Sequence, residues 1–78
     1  MKDFISLKNV KSVNYFENID FVTITITYFN NEEPCEYGRR IEGLDEEKQI
    51  CAIEHQKETY NKIKNALTNK EDFVEVEL

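Results

Sequence analysis

Cys51 and His55 stand four residues apart, the spacing at which two helical side chains meet on one face. A thiolate beside an imidazole is the raw material of nucleophilic catalysis, and the same pair could give two ligands to a metal. Catalysis also needs a third group to orient the imidazole and a shaped pocket. Zinc needs further ligands, and Cys35 is the remaining thiol. The pair falls opposite the apolar stripe of its helix, among Glu58 and Lys62, and reads as a surface cysteine beside a surface histidine. The carboxylate pairs Glu32/Glu33 and Glu75/Glu77 border a turn or face solvent. Acid–base work would need one member of such a pair raised by burial. No phosphate-cradling glycine loop, calcium loop or serine elbow occurs in the sequence. These patterns predict a protein that is not an enzyme and that uses no cofactor or metal.

Arg39 and Arg40, beside Tyr37 and Gly38, form the one arginine cluster. A guanidinium fork suits carboxylate or phosphate, and Tyr37 could stack on a base. Neighbouring residues of a strand point to opposite faces, however, so Arg39 and Arg40 grip one phosphate only if Gly38 bends the chain. Tyr37, Arg39 and Arg40 are the candidate contacts for a nucleotide or other small ligand, a reading that ranks third.

The elements that carry these residues follow from periodicity. Phe21 to Phe29 alternates β-branched and aromatic residues at period two, the pattern of a strand with two different faces. Val22, Ile24, Ile26 and Tyr28 share one face; Phe21, Thr23, Thr25, Thr27 and Phe29 share the other. Before it, Phe4 to Phe16 reads as an irregular strand with a bulge near Lys8–Asn9, and Glu17–Asp20 as the turn. Asn30 to Pro34 is a second turn, and Cys35 to Ile41 a third strand in which Gly38 marks a bulge or a close backbone approach. Asp45 suits an N-cap, and Glu46 to Thr68 reads as one helix. Ala52, Ile53, Tyr60, Ile63 and Leu67 form its apolar stripe, and Gln49 and Gln56 on that stripe either border the sheet and reach backbone groups or mark where the helix overhangs the sheet. Glu46 and Glu47 at its start and Lys62, Lys64 and Lys70 towards its end complement the helix dipole. Asn69 follows it, and Phe73 to Leu78 alternates again, with Val74, Val76 and Leu78 inward. The expected fold is α+β: a small, mostly antiparallel sheet with strands and helix in the order β-β-β-α-β, the helix on one face. Its long connection permits a parallel crossover for the last strand.

Composition then bounds the function. Seventy-eight residues make one domain, residues 1–78. Sixteen acids against ten bases leave a net charge of −6, which speaks against direct nucleic-acid binding. No apolar run reaches the ~20 residues of a membrane span. The polar start Met1-Lys2-Asp3 and the absence of an Asn-x-Ser/Thr sequon point to a reducing, cytoplasmic setting with free thiols. The charge is uneven: residues 1–31 hold three bases and three acids, and residues 32–78 hold seven bases and thirteen acids. Asp45, Glu46 and Glu47 are explained by the helix start, which leaves Glu32, Glu33 and Glu36, and Glu71, Asp72, Glu75 and Glu77.

One helix covers one face of the sheet. The other face would then display Phe21, Thr23, Thr25, Thr27 and Phe29, with Phe73 alongside, a larger apolar patch than a small monomer normally exposes. The leading expectation is a non-enzymatic protein–protein interaction protein that self-associates as a homodimer through this face. The runner-up assigns Glu32, Glu33, Glu36, Glu71, Asp72, Glu75 and Glu77 to an acidic face for a basic partner, such as a nucleic-acid-binding protein. Eight Lys, eight Asn and eight Ile beside two Ala suggest a bacterial or phage origin. In size, acidity and composition the chain resembles small phage-encoded accessory proteins in general. Those include inhibitors of bacterial defence systems with nucleic-acid-like acidic surfaces. That resemblance implies a mimic blocking a basic groove, for example on a defence nuclease.

Overall fold

A computed structural model describes residues 2–77; the inward position expected for Leu78 lies outside them. Five strands and one helix follow in the order β1 (Lys2–Ser6), β2 (Val10–Glu17), β3 (Phe21–Tyr28), β4 (Cys35–Arg40), α1 (Glu46–Thr68) and β5 (Phe73–Glu77). The α+β class with a single helix is as expected, but the segment from Phe4 to Phe16 is two strands. Asn9 takes φ 62°, a left-handed conformation that asparagine accepts more readily than most residues. The chain turns there and changes partners.

β1 pairs antiparallel with β5, Ile5 facing Val74, and Leu7 N–H extends that ladder to Asp72 O at 2.8 Å. β2, β3 and β4 form a separate antiparallel sheet in that order. Phe29 N–H donates to Asn9 O at 2.7 Å, so the second ladder starts two residues after the first stops. The bulge itself lies between Val10 and Ser12. The last strand is therefore antiparallel to the first and not a parallel crossover.

The core lies between the two ladders and the helix. Ile5, Leu7, Ile24, Ile26, Ile63, Ala66, Val74 and Val76 form its main cluster, and Val22, Ile41 and Ala52 a second one. Of the inward positions expected for β3 and β5, Val22, Ile24, Ile26, Val74 and Val76 are buried, while Tyr28 is half-buried. The helix has the expected bounds, and Asp45 Oδ1 accepts from Lys48 N–H at 2.9 Å as its N-cap. Its other end differs. The last turn carries no base. Lys70, at φ 57°, occupies the left-handed position that closes the helix. Lys70 N–H bonds to Leu67 O and Glu71 N–H to Ala66 O, the paired bonds of a Schellman ending.

The buried face of the helix is also rotated from the expected stripe. Ala52, Gln56, Thr59, Ile63 and Ala66 are buried, whereas Ile53, Tyr60 and Leu67 are half-buried along one side. Gln56 sits at the centre because its amide has partners: Nε2 donates to Val22 O at 3.1 Å and to Tyr37 O at 2.9 Å. Gln49 does the same for Ile41 O and Leu44 O, both at 3.1 Å. Both amides thus border the sheet and reach backbone groups, one of the two placements the sequence allows. On the helix flank, Tyr60 packs on Tyr15 of β2, ring centroids 5.8 Å apart.

Candidate functional site

Burial sorts the apolar residues by size in an unusual way. The core is aliphatic, while all five phenylalanines of the chain, Phe4, Phe16, Phe21, Phe29 and Phe73, are exposed by 44–67%. Phenylalanine is ordinarily among the more buried residue types.

Strand register shows how they are grouped. On the outer face of the three-stranded sheet Phe16 is opposite Thr23, and Thr23 is opposite Gly38. Phe21 lies two positions before Thr23 on β3, hence diagonal to Phe16 and within reach of it. Thr25 and Thr27 continue the face, opposite Asn14 and Ser12 of β2. The turn beyond Phe16 and Phe21 is fixed by Asn18 Oδ1, which accepts from the N–H groups of Asp20 and Phe21 at 2.7 Å. It raises Ile19, 84% exposed, at its tip. Phe16, Ile19 and Phe21 thus form an apolar end to a threonine-rich face. Phe29 sits just past the other end of β3.

Phe73, which the sequence places alongside this face, belongs to the other ladder. It faces Ser6 on β1 and is diagonal to Phe4, which faces Glu75. The reason is the partner change at Asn9, which no pattern within β5 reveals. Phe16 and Ile19 are the residues that sequence reasoning missed. Counting register outward from a Glu17–Asp20 turn sets Phe16 opposite Phe21; the observed register is two residues on, with Phe16 opposite Thr23.

The acidic groups are distributed as follows. Glu32 and Glu33 lie in the β3–β4 connection, and Glu36 on β4 opposite Thr25. Glu71 and Asp72 precede β5, and Glu75 and Glu77 lie on it. Glu75 pairs with Lys2 at 3.3 Å. The connections that carry Glu32/Glu33 and Glu71/Asp72 are both tied by backbone bonds to the Leu7–Asn9 corner. A groove of about 510 Å³ between α1 and β5 is lined by Glu58, Asn61, Lys62, Asn65, Glu71 and Glu75 among others.

The candidate ligand contacts divide as their alternation requires. Arg40 lies on the outer face, bonded to Glu42 at 2.8 Å. Arg39 and Tyr37 lie on the inner side, where with Glu36, Gly38 and Gln56 they line a groove of about 220 Å³. Gly38 is neither a bulge nor a tight approach: the β3–β4 register is unbroken there, and a Cβ would meet Thr23 Oγ1 at an ordinary 3.5 Å. The Tyr37 hydroxyl donates to Asp3 Oδ2 at 3.3 Å. Burial, with the Asp3 charge, pushes the Tyr37 phenol up to about 12.

Burial likewise pushes Tyr15 up to about 12, aided by its hydrogen bond to Glu17 at 2.8 Å. Burial does the same to Tyr28, whose hydroxyl donates to Ser6 O. The neutral phenols of Tyr28 and Tyr37 clasp their strands to β1, whereas that of Tyr15 bonds within β2. Cys51 is exposed, and His55 is half-buried with Nε2 2.9 Å from Glu77 O. The imidazole therefore fastens the helix to β5. Among the described residues no group of three or more His, Cys, Asp or Glu is placed to hold a metal. No helix is long and apolar enough to cross a membrane. No family model, curated protein or solved structure matches the chain.

Proposed function

We propose that this chain is a non-enzymatic, cytoplasmic protein–protein interaction module that self-associates through the outer face of its three-stranded sheet. The observation that carries this reading is the exposure of every phenylalanine, with Phe16 and Phe21 adjacent on that face. Covering those two half-exposed rings in both copies would remove on the order of 400 Å² from water, about 10 kcal/mol gross. That is comparable with the ~4–15 kcal/mol lost on association, so the threonine rows must join the contact. Sedimentation tests this. Wild type is expected to be dimeric, and Phe16→Ser with Phe21→Ser to be monomeric with unchanged helical content. A wild-type monomer at about 1 mM would refute it.

A second reading, an acidic inhibitor or nucleic-acid mimic for a basic groove, is favoured by one observation. The connections carrying Glu32/Glu33 and Glu71/Asp72 are bonded to the same Leu7–Asn9 corner, through Phe29 and Asp72 respectively, an arrangement that supports a shared acidic end. Binding of a basic partner there would weaken steeply between low and high salt; salt-insensitive binding would sink it.

A further inference from the structure

Among the described residues, no further strand pairs with one edge of the three-stranded sheet. β4 is the last strand in the order β2-β3-β4, and its register with β3 is unbroken from Cys35 to Arg40. Which of its backbone groups face outward can be worked out. Ile41 N–H donates to Asp20 O at 2.8 Å, continuing the β3–β4 ladder by one pair. Tyr37 O and Val22 O both reach the single Nε2 of Gln56, so both carbonyls point into the gap between β3 and β4. In an antiparallel ladder the hydrogen-bonding direction alternates residue by residue. The odd-numbered residues of β4 therefore serve β3, and Glu36, Gly38 and Arg40 direct N–H and C=O at the open edge.

We propose that this edge pairs antiparallel with β4 of a second copy, Gly38 lying on the two-fold axis, to give one continuous six-stranded sheet. The strand is charge-complementary to itself about that residue. Glu36 lies two positions before Gly38 and Arg40 two positions after it, both exposed on the outer face. In this register Gly38 exchanges both backbone bonds with the partner's Gly38, and Glu36 exchanges both with the partner's Arg40. Opposite charges thus stand directly across the new ladder, twice by symmetry. On the inner side Tyr37 comes opposite the partner's Arg39, ring against guanidinium. Moving the pairing by two residues keeps the backbone bonds but loses the charge match. Gly38 adds no side chain at the axis. The Arg40–Glu42 bridge that must open is exposed on both sides and worth little.

This inference rests on the reading that the chain self-associates, but it uses an edge where that reading uses a face, and the two are separable. In a Cys35→Ser, Cys51→Ser background, Gly38→Cys should give a disulfide-linked dimer under glutathione buffer, reversed by dithiothreitol. Opposed residues in such a pair lie within disulfide reach. Lys57→Cys, on the exposed helix face, should stay unlinked. Glu36→Arg should weaken the dimer about tenfold or more, and Glu36→Arg with Arg40→Glu should restore it. A wild-type dimer insensitive to Glu36→Arg but dissociated by Phe16→Ser with Phe21→Ser would overturn the edge and support the face. A dimer restored by the charge exchange but indifferent to the phenylalanines would support the edge and overturn the face. A folded Gly38→Cys dimer that does not cross-link, or a monomer at about 1 mM, would overturn the edge.

Discussion

Gln56 offers the most direct test of how helix and sheet are joined. Its side chain is 6% exposed, and its amide nitrogen holds two carbonyls of neighbouring strands. Gln56→Leu removes both bonds at similar volume. At ~0.5–1.5 kcal/mol per bond the gross loss is about 1–3 kcal/mol. Each carbonyl keeps its partner in the ladder, and the new methyl groups are buried, so the net cost should be about 1 kcal/mol. Gln56→Glu is harsher, because it sets a carboxylate against two acceptors with no donor between them. A buried charge left unpaired costs about 3–5 kcal/mol, against a total of about 4–12 kcal/mol for a chain this long.

Burial and the facing carbonyls would raise the pKa of the introduced carboxyl in the fold above its unfolded value of ~4.3. The penalty should therefore be smallest below that pH and grow as pH rises through the folded pKa. Urea denaturation followed by circular dichroism at neutral and acid pH measures all of this. Wild type should exceed Gln56→Leu, and Gln56→Leu should exceed Gln56→Glu at pH 7, with Gln56→Glu gaining on wild type towards pH 4. A Gln56→Glu variant as stable as wild type at pH 7, or one whose deficit ignores pH, would show that the amide does not clamp the sheet.

Lys70 closes the helix at φ 57°, where a side chain is strained, so Lys70→Gly should stabilise by about 0.5–1 kcal/mol. A fall in thermal midpoint would contradict the Schellman ending. At the alkaline limit, Tyr15, Tyr28 and Tyr37 are each held up to about 12 against an ordinary 10, chiefly by burial. The fold binds protons that the unfolded chain has released, so stability is full below pH 10 and is lost as pH climbs towards 12. Denaturation curves stepped through that window should show the loss, smaller in Tyr15→Phe, and a flat profile would deny that folding buries the three phenols.

The acidic charge that marks the second part of the chain keeps two accounts. Asp45 is spent locally, as the N-cap bond to Lys48 shows, and Glu46 and Glu47 lie in the first turn where the dipole favours them. The rest is a matter of placement, since the Leu7–Asn9 corner gathers two acidic connections that lie far apart in sequence.

What the chain determines by itself is whatever depends on near neighbours. The alternation of Val22, Ile24 and Ile26 against Thr23, Thr25 and Thr27 sets two faces in any strand, whoever pairs with it. Asp45 and the run to Thr68 delimit the helix because capping and helical hydrogen bonding act within four residues. The charge antisymmetry of Glu36 and Arg40 about Gly38 is likewise present in the sequence. Tertiary structure decided the rest. The left-handed turn at Asn9 hands the chain from β5 to β3, which divides one expected sheet into two ladders and carries Phe73 away from Phe21. Gln56 could be assigned to the core only once the carbonyls of Val22 and Tyr37 came within reach, for the value of a buried amide lies in partners that folding supplies. The exposed phenylalanines are legible only by subtraction. Once the aliphatic residues had filled the small interior, nothing remained there to cover the rings.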